Sequence, residues 1–326
     1  MAERVRVLIV DDSPTIRRLV RLALSSDPRI DIVGDAQDPL DARAKIKSLS
    51  PDVLTLDVEM PQMNGLDFLE RLMRLRPMPV VMLSTLTHGG SAAAVAALSL
   101  GAVECVGKPD GAQRARAFAG LADSVVAAAR ARVRGPSLAA PAVGPAAAGS
   151  FCWNRKIVLI GASTGGVEAL ETVLARLPAD CPPILITQHM PAGFLASFAD
   201  RLTAQIAPKV GLATDGAEIS PGQILIAPGG DCHLRVGRGD PLRCQLVAGP
   251  PECGHRPSVG AMMNSFLPRA HRVVAVMLTG MGRDGATAMA ALRRAGAYGI
   301  AQDEASSVVF GMPRVAIELG GADAVL

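Results

Sequence analysis

The 326-residue sequence lacks several features that would assign it to a specialised class of protein. None of its six cysteines forms a CxxC pair or has the spacing of a zinc site, so we expect unpaired thiols without disulfides or a structural metal. No apolar run approaches the roughly 18 residues that a membrane span requires, and the amino terminus has no signal-peptide pattern. We therefore expect a cytoplasmic protein that does not insert into a membrane.

An excess of charge of one sign is also missing. The 33 basic and 30 acidic side chains give a formal charge of +3, and the basic residues are scattered along the chain. Nucleic-acid binding usually requires a clustered basic surface or a basic recognition helix, and the sequence contains neither. This composition favours protein or small-molecule partners over nucleic acid.

The length and one change in composition indicate two domains. A chain of 326 residues exceeds one ordinary domain of about 100 to 200 residues. Residues 131–150 are dominated by Ala, Pro and Gly and lack the bulky side chains needed for a core. We predict a first domain at residues 1–128, a linker at 129–152 and a second domain at 153–326.

Both predicted domains have the sequence pattern of a doubly wound α/β fold. In the first half, β-branched runs such as VRVLIV and VLTLDV alternate with amphipathic segments such as GLDFLERLMRL. KIVLIGAS, PPILITQHM and RVVAVMLTG continue the pattern in the second half. This alternation predicts parallel sheets covered by helices on both faces. HLRVGRG and RCQLVAG, separated by Gly and Pro, predict an antiparallel hairpin within the second domain.

Five side chains of the first domain follow predicted strands and should meet at one edge of its sheet. They are Asp11, Asp12, Asp57, Ser84 and Lys108. Three converging carboxylates repel one another unless a hard cation lies among them, which predicts Mg²⁺ bound by Asp11, Asp12 and Asp57. Asp57 can then accept a phosphoryl group, with Lys108 offsetting its charge and the Ser84 hydroxyl hydrogen-bonding the product.

This pattern resembles the receiver domain of two-component response regulators over residues 4 to about 125. The resemblance implies a flavodoxin-like fold with phosphorylation at Asp57, supported by Ser84 and Lys108. Cys105 departs from the pattern, because receivers often have an aromatic residue there that reports phosphorylation. We therefore expect the signal to pass through the surrounding surface rather than through an aromatic flip.

Three reactive side chains of the second domain also follow apolar runs. Ser163 lies in GASTGG, His189 in ITQHMP and Asp284 in LTGMGRDGA. Each has an ordinary alternative explanation: a helix-capping serine, a polar histidine in a loop, or a carboxylate in the first turn of a helix. A hydroxyl, an imidazole and a carboxylate at the strand ends of one sheet are, however, the components of a serine hydrolase.

Other function classes fit parts of the same motifs. Gly280, Gly282 and Gly285 satisfy the dinucleotide fingerprint, with Asp303 and Glu304 about 20 residues further on, so a nicotinamide-dependent oxidoreductase is the formal alternative. A carboxylate at Asp284 would repel a bound pyrophosphate. The order Ser, His, Asp also differs from the Ser, Asp, His order of α/β-hydrolases. A third possibility is a non-catalytic phosphorylation switch that only binds a partner.

The second domain as a whole is similar to the CheB family of chemotaxis response regulators with a methylesterase output domain. The similarity is carried by GASTGGVEAL, ITQHMPAGF, APGG, HRPSV, LTGMGRDGA and AQDEASSVVFGMP. It implies a Rossmann-like domain in which Ser163 is the nucleophile, His189 the general base and acid, and Asp284 the orienting carboxylate. The backbone amide of Met281 would be the oxyanion donor, and HRPSV would form a loop near the site.

Two residues flanking HRPSV depart from the family pattern. Gly254 stands where the family often has a basic residue, and Gly260 where it often has an acidic one. The same resemblance implies demethylation of glutamate methyl esters and deamidation of glutamines on methyl-accepting chemoreceptors. It further implies phosphorylation by a CheA-type histidine kinase, and a receiver that blocks the catalytic face until it is phosphorylated.

Overall fold

The computed structural model describes residues 4–60, 63–85, 87–109, 118, 120–133 and 153–326. The chain divides into two units, residues 1–138 and 139–326. Most of the predicted linker, residues 134–152, lies outside the described residues, and the three predicted boundaries stay a prediction. Among the helices that are described, none is long and apolar enough to cross a membrane.

In its described residues, the first unit alternates five strands with five helices. Its strands are β1 (Val5–Val10), β2 (Ile30–Ala36), β3 (Val53–Asp57), β4 (Val80–Ser84) and β5 (Glu104–Gly107). Its helices are α1 (Pro14–Ser25), α2 (Pro39–Leu49), α3 (Gly65–Leu75), α4 (His88–Ser99) and α5 (Leu121–Ala129). All pairings are parallel in the order β2-β1-β3-β4-β5, which confirms the predicted flavodoxin-like fold.

The second unit contains a seven-stranded parallel sheet. Its strands are β6 (Ile157–Ala162), β7 (Ile184–Gln188), β8 (Lys209–Leu212), β9 (Gln223–Ile226), β12 (Val273–Met277), β13 (Tyr298–Ala301) and β14 (Ala324–Val325). Its helices are α6 (Gly166–Leu174), α7 (Ala192–Gln205), α8 (Val259–Ser265), α9 (Ala286–Arg294) and α10 (Met312–Glu318), with a 3-10 helix at Leu267–Arg272. The order β14-β13-β12-β6-β7-β9-β8 confirms the doubly wound α/β fold.

The predicted hairpin is also present in the second unit. Strands β10 (Cys232–Val236) and β11 (Cys244–Ala248) pair antiparallel, with Cys232 opposite Ala248. Leu234 and Val236 of this hairpin belong to the same buried apolar cluster as Phe266, which follows α8. The hairpin is therefore packed onto the core beside α8, the helix that begins in the HRPSV segment.

Candidate active site

The strand order of the second sheet reverses beside β6. The chain passes from β6 to β7 on one side and later returns to β12 on the other, so β6 lies between them. Open α/β sheets bind ligands outside the carboxyl ends of the strands at such a reversal. Ser163 follows β6, His189 follows β7, and the loop carrying Asp284 follows β12. The fold therefore brings all three sequence-predicted residues to one edge.

Ser163 lies in a tight turn between β6 and α6. Its N–H donates to Thr279 O at 3.0 Å, and its carbonyl accepts a hydrogen bond of 2.8 Å from Gln188 Nε2. Gly165 closes the turn with a φ of 77°, and a Cβ there would lie 2.5 Å from Cβ of Val308. The turn leaves Ser163 partly exposed at the sheet edge rather than sealed in the interior.

His189 is paired with Asp284 and adjacent in register to Ser163. Ala162 at the end of β6 lies opposite Gln188 at the end of β7. Ser163 and His189 directly follow these two residues and are therefore also neighbours, since paired strands lie about 4.8 Å apart. His189 Nε2 lies 2.9 Å from Asp284 Oδ2, and the two side chains are only 5% and 2% exposed. We assign the proton to Nε2 because a carboxylate only accepts. Nδ1, which is buried and has no hydrogen-bond partner among the described residues, is then the basic nitrogen.

Asp284 is held as an anion by the start of α8. Oδ1 accepts hydrogen bonds from Ser258 Oγ at 2.9 Å and Gly260 N at 3.1 Å, and Oδ2 accepts one of 2.7 Å from Val259 N. Burial raises the pKa of this carboxyl, but the bonds from His189, Ser258 and Val259 outweigh burial and lower the pKa below its usual value. Asp284 is therefore ionised and fixed on both oxygens.

Met281, predicted as the oxyanion donor, lies in the loop after β12 beside Ser163. The preceding residue is Gly280, where a Cβ would lie 2.6 Å from Cβ of Ser163 and 2.6 Å from Sδ of Met312. Gly280 N donates to Val309 O, and Gly280 O accepts from Met312 N, at 3.0 and 2.8 Å. This loop therefore presents main chain to the serine, as an oxyanion site built from a backbone amide requires.

Three further polar residues of the site were not identified from the sequence as functional. Gln188 Nε2 donates to the carbonyls of both Ser163 and His189, at 2.8 and 3.2 Å, and so ties the two strand ends together. His233 Nδ1 accepts from Ser258 N at 3.1 Å. The ring of His255 stacks on that of His189, with centroids 3.8 Å apart. A search for histidines, of which the chain has five, would have drawn attention to two of these residues.

The first unit brings its predicted acidic residues together around Lys108. Lys108 Nζ lies 2.7 Å from Asp57 Oδ2 and 3.0 Å from Asp11 Oδ2, and both carboxylates are almost completely buried. Burial raises the pKa of Asp57 to about 6; the hydrogen bond with Lys108 opposes this shift and repulsion from Asp11 adds to it. Burial lowers the pKa of Lys108, but the two carboxylates outweigh burial and raise it. The ammonium is thus charged.

These carboxylates fit a divalent cation. Asp11, Asp12 and Asp57 each offer an oxygen, and these oxygens lie within 4.8 Å of one another. Three carboxylates against one ammonium leave two negative charges uncompensated, and burial with mutual repulsion raises the pKa of Asp11 as well as that of Asp57. An all-oxygen site with this deficit of positive charge suits Mg²⁺.

Ser84 and Cys105 also occupy the neighbourhood that the sequence predicted. The Ser84 hydroxyl is buried at the end of β4 and donates to Gly90 O at 2.8 Å, so in this conformation its proton is not directed at Asp57. Cys105 lies in β5, where burial raises the pKa of its thiol. A buried neutral thiol is not a reactive one.

The glycine-rich segment after β12 serves the carboxylate instead of a dinucleotide. Asp284, within the fingerprint, is buried and bound to His189 and to the start of α8. A pyrophosphate at the N-terminus of α9 would lie beside this anion. The nicotinamide alternative therefore lacks support in the geometry.

Comparison with known proteins supports the same assignment. Residues 158–326 match the family model described as CheB methylesterase, and residues 7–118 match the response regulator receiver domain. The chain is 54% identical to a protein-glutamate methylesterase/protein-glutamine glutaminase of Caulobacter vibrioides, over 98% of this chain and 94% of the relative. A Rhizobium etli protein of the same description is 53% identical, over 99% of this chain and 93% of the relative.

A solved structure is also similar. The crystal structure of the Thermotoga maritima CheB methylesterase catalytic domain aligns at 40% identity and a TM-score of 0.51, covering 52% of this chain and 92% of that one. The chain therefore belongs to the CheB methylesterase family and carries a response regulator receiver domain ahead of the methylesterase domain.

Proposed function

We propose that this protein is a phosphorylation-activated methylesterase that hydrolyses glutamate γ-methyl esters on methyl-accepting chemoreceptors and releases methanol. The proposal rests on the buried His189–Asp284 pair. His189 is the neighbour of Ser163 in register, and its Nδ1 has no hydrogen-bond partner in the described parts of the chain. A serine nucleophile needs a base within reach and a third group that orients this base. The homologues named above supply the substrate class.

The chemistry follows from these roles. Ser163 Oγ attacks the ester carbonyl carbon while its proton passes to His189 Nδ1. The bond to the methoxy group then breaks, and His189 returns the proton so that methanol leaves. Water attacks the resulting acyl-enzyme with His189 again as base, which releases glutamate and restores Ser163. An amide substrate loses ammonia by the same steps, so we propose glutamine deamidation as a second activity.

Two features stabilise charge during these steps. The Met281 amide is the oxyanion donor, since its loop presents main chain beside Ser163 and a preorganised donor strengthens as negative charge develops on the carbonyl oxygen. Asp284, ionised and fixed on both oxygens, stabilises the imidazolium that forms at His189. It also holds the tautomer in which Nδ1 is free to accept the proton.

Regulation resides in the first domain. We assign Asp57 as the phosphoryl acceptor, Lys108 and Ser84 as its supporting residues, and a CheA-type histidine kinase in the cytoplasm as the donor. Mg²⁺, when bound by Asp11, Asp12 and Asp57, would neutralise charge on the phosphoryl oxygens. Phosphorylation shifts the population of the receiver towards an arrangement in which receptors reach the catalytic domain at 153–326. The remaining proposed boundaries are a receiver at 1–128 and a linker at 129–152.

Methanol release from membranes that contain methylated chemoreceptors tests the proposal. We expect wild type to release methanol and Ser163→Ala to lose at least about a thousandfold in kcat. Ser197→Ala is the matched control, because it removes a buried hydroxyl of α7 that has no hydrogen-bond partner in the described part of the chain. Full activity of Ser163→Ala, or labelling by a fluorophosphonate at another serine, would refute the nucleophile assignment.

A further inference from the structure

We propose that His255 is a positioning residue, which holds the plane of the His189 ring by covering one of its faces. This inference rests on the proposed function, since it assigns His189 the role of base. The ring centroids lie 3.8 Å apart and the planes differ by 4°. Nearly parallel rings with centroids this close are in van der Waals contact, so a tilt of either ring costs contact energy.

The hydrogen bond to Asp284 does not by itself fix the direction of Nδ1. The bond joins Nε2 to Oδ2 at 2.9 Å, and one hydrogen bond tolerates bending, so small coupled changes in χ1 and χ2 can swing the imidazole about its bonded end. Such a swing displaces Nδ1 while it leaves the Nε2 bond nearly unchanged. A parallel ring on one face removes this freedom. The stack and the hydrogen bond together therefore aim Nδ1, which neither does alone.

His255 is itself fixed by a tight turn. Its N–H donates to Glu252 O at 2.9 Å, and its carbonyl accepts from Glu252 N at 3.0 Å. The two residues between them, Cys253 and Gly254, have φ values of 50° and 83°. Positive φ at both central positions is the pattern of a type I′ hairpin turn, which has little conformational freedom. This turn also gives Gly254, a departure from the family pattern, a structural reason.

The residue after His255 anchors the same segment to two other loops. Arg256 Nε donates to Gly230 O at 2.6 Å, Nη1 donates to Gly249 O at 2.8 Å, and Nη2 pairs with Asp231 Oδ1 at 2.6 Å. Ser258, two residues further on, binds Asp284. One segment thus contacts the His189 ring through His255 and the carboxylate that binds this ring through Ser258.

The charge state of His255 suits a stacking role. Burial lowers its pKa to about 4, charge on His189 acts in the same direction, and Asp284 opposes both. At neutral pH the ring is therefore uncharged. It can remain stacked on His189 when that ring takes up a proton, without repulsion between two imidazolium ions.

The experiment compares full-length His255→Ala, which removes the ring, with His255→Phe, which keeps a flat one. On a small ester such as p-nitrophenyl acetate, we expect the Ala variant to lose about tenfold to hundredfold in kcat with little change in KM. The Phe variant should recover most of this loss. Cys253→Asn is the matched control, because Cys253 is exposed in the same turn and asparagine tolerates the positive φ of this position. It should behave as wild type.

Ring nitrogen NMR of histidine-labelled protein provides a readout that does not depend on activity, and five histidines keep the spectrum simple. We expect His189 to show one tautomer, protonated at Nε2, in wild type and His255→Phe, but mixed or broadened signals in His255→Ala. Unchanged signals and kcat in the Ala variant would overturn the proposal. Equal losses of kcat in His255→Ala and His255→Phe with unchanged His189 signals would also overturn it. The ring nitrogens of His255, rather than its flat shape, would then be the important feature.

The NMR signals and a further variant separate two other outcomes. If wild type lacks esterase activity, the proposed function fails, while the His189 signals still decide whether His255 holds the ring. If His255→Ala does not fold, His255→Leu takes its place, because leucine fills a similar volume without a flat face. Activity and His189 signals of the Leu variant equal to those of the Phe variant would overturn the proposal.

Discussion

The Ser258 hydroxyl donates a hydrogen bond of 2.9 Å to Asp284 Oδ1 and accepts one of 3.1 Å from Ala261 N. The same oxygen therefore caps helix α8 and holds the carboxylate that orients His189. Caps of this kind usually serve only the helix that they begin. Here the stability of α8 and the geometry of the proposed catalytic residues depend on one side chain.

Ser258→Ala should weaken both folding and catalysis. We expect the free energy of unfolding to fall by about 1–2 kcal/mol and kcat to fall about tenfold, because a cap and a hydrogen bond to a charged group are lost. Denaturant titration and methanol release measure these effects. Asp38→Ala is the control, since Asp38 caps α2 through Leu40 N and Asp41 N in the receiver. It should lose stability without a loss of basal kcat, and a Ser258 variant that does the same would refute the link.

Asp284→Asn should be far more damaging than the loss of one charge suggests. Both oxygens of Asp284 face donors only, from His189 and from the residues that begin α8. An amide must direct its NH₂ group either at His189, which then loses its fixed tautomer, or at Gly260 N and the Ser258 hydroxyl, which then lose their acceptor. We expect kcat to fall by about 10⁴-fold, as for comparable triads. A fall in kcat of only about 100-fold or less, in a variant that folds normally by circular dichroism, would contradict the role of Asp284.

Stability should fall in mild acid because of His255. Its pKa is about 4 in the folded protein against an ordinary value of 6.5, so between these values the unfolded chain binds the additional proton. The free energy of unfolding therefore decreases as pH falls through this window. His255→Phe cannot take up a proton there and should show a shallower decrease. Urea titrations of both proteins from pH 7 to pH 4 test this, and parallel curves would contradict it.

Asp57→Asn should abolish activation while leaving the fold intact. The substitution keeps the shape of a side chain whose pKa is already raised to about 6, and Lys108 retains its ion pair with Asp11. We expect methanol release to lose its stimulation by a small phosphodonor with Mg²⁺ and to keep its basal rate. Asp41→Asn, on α2 and paired with Lys45, is the control that should remain activatable. Stimulation of the Asp57 variant would place the phosphoryl group elsewhere.

Strong hydrophobic patterns predicted most of the fold. Apolar runs with clear turn residues identified the central strands β6, β7 and β12, because β6 and β7 are almost completely buried and β12 alternates buried with partly buried apolar residues. The pattern missed β8, which is short and partly exposed, and β14, which has two residues. Helix α5 was also missed. Its sequence, LADSVVAAA, is short and rich in alanine, so few bulky side chains mark a helical face.

The site was predictable where it follows strands and unpredictable where it depends on loops. The convergence of Ser163, His189 and Asp284 was predictable because the carboxyl ends of parallel strands share an edge. His255 and Ser258 reach the same edge through a turn with two positive φ angles, followed by a cis bond between Arg256 and Pro257. Local sequence does not encode the path that such a loop takes, so only the family resemblance pointed to the HRPSV segment.

Gly280 restricts how the proposed acyl site beside Ser163 can diversify. It presents only main chain to Ser163, and a methyl group at this position would lie 2.6 Å from both Cβ of Ser163 and Sδ of Met312. Position 280 therefore cannot be varied to suit a different acyl group without displacing Ser163 or Met312. A change of specificity at the proposed site has to come from neighbouring loops, because position 280 has room only for the hydrogen of glycine.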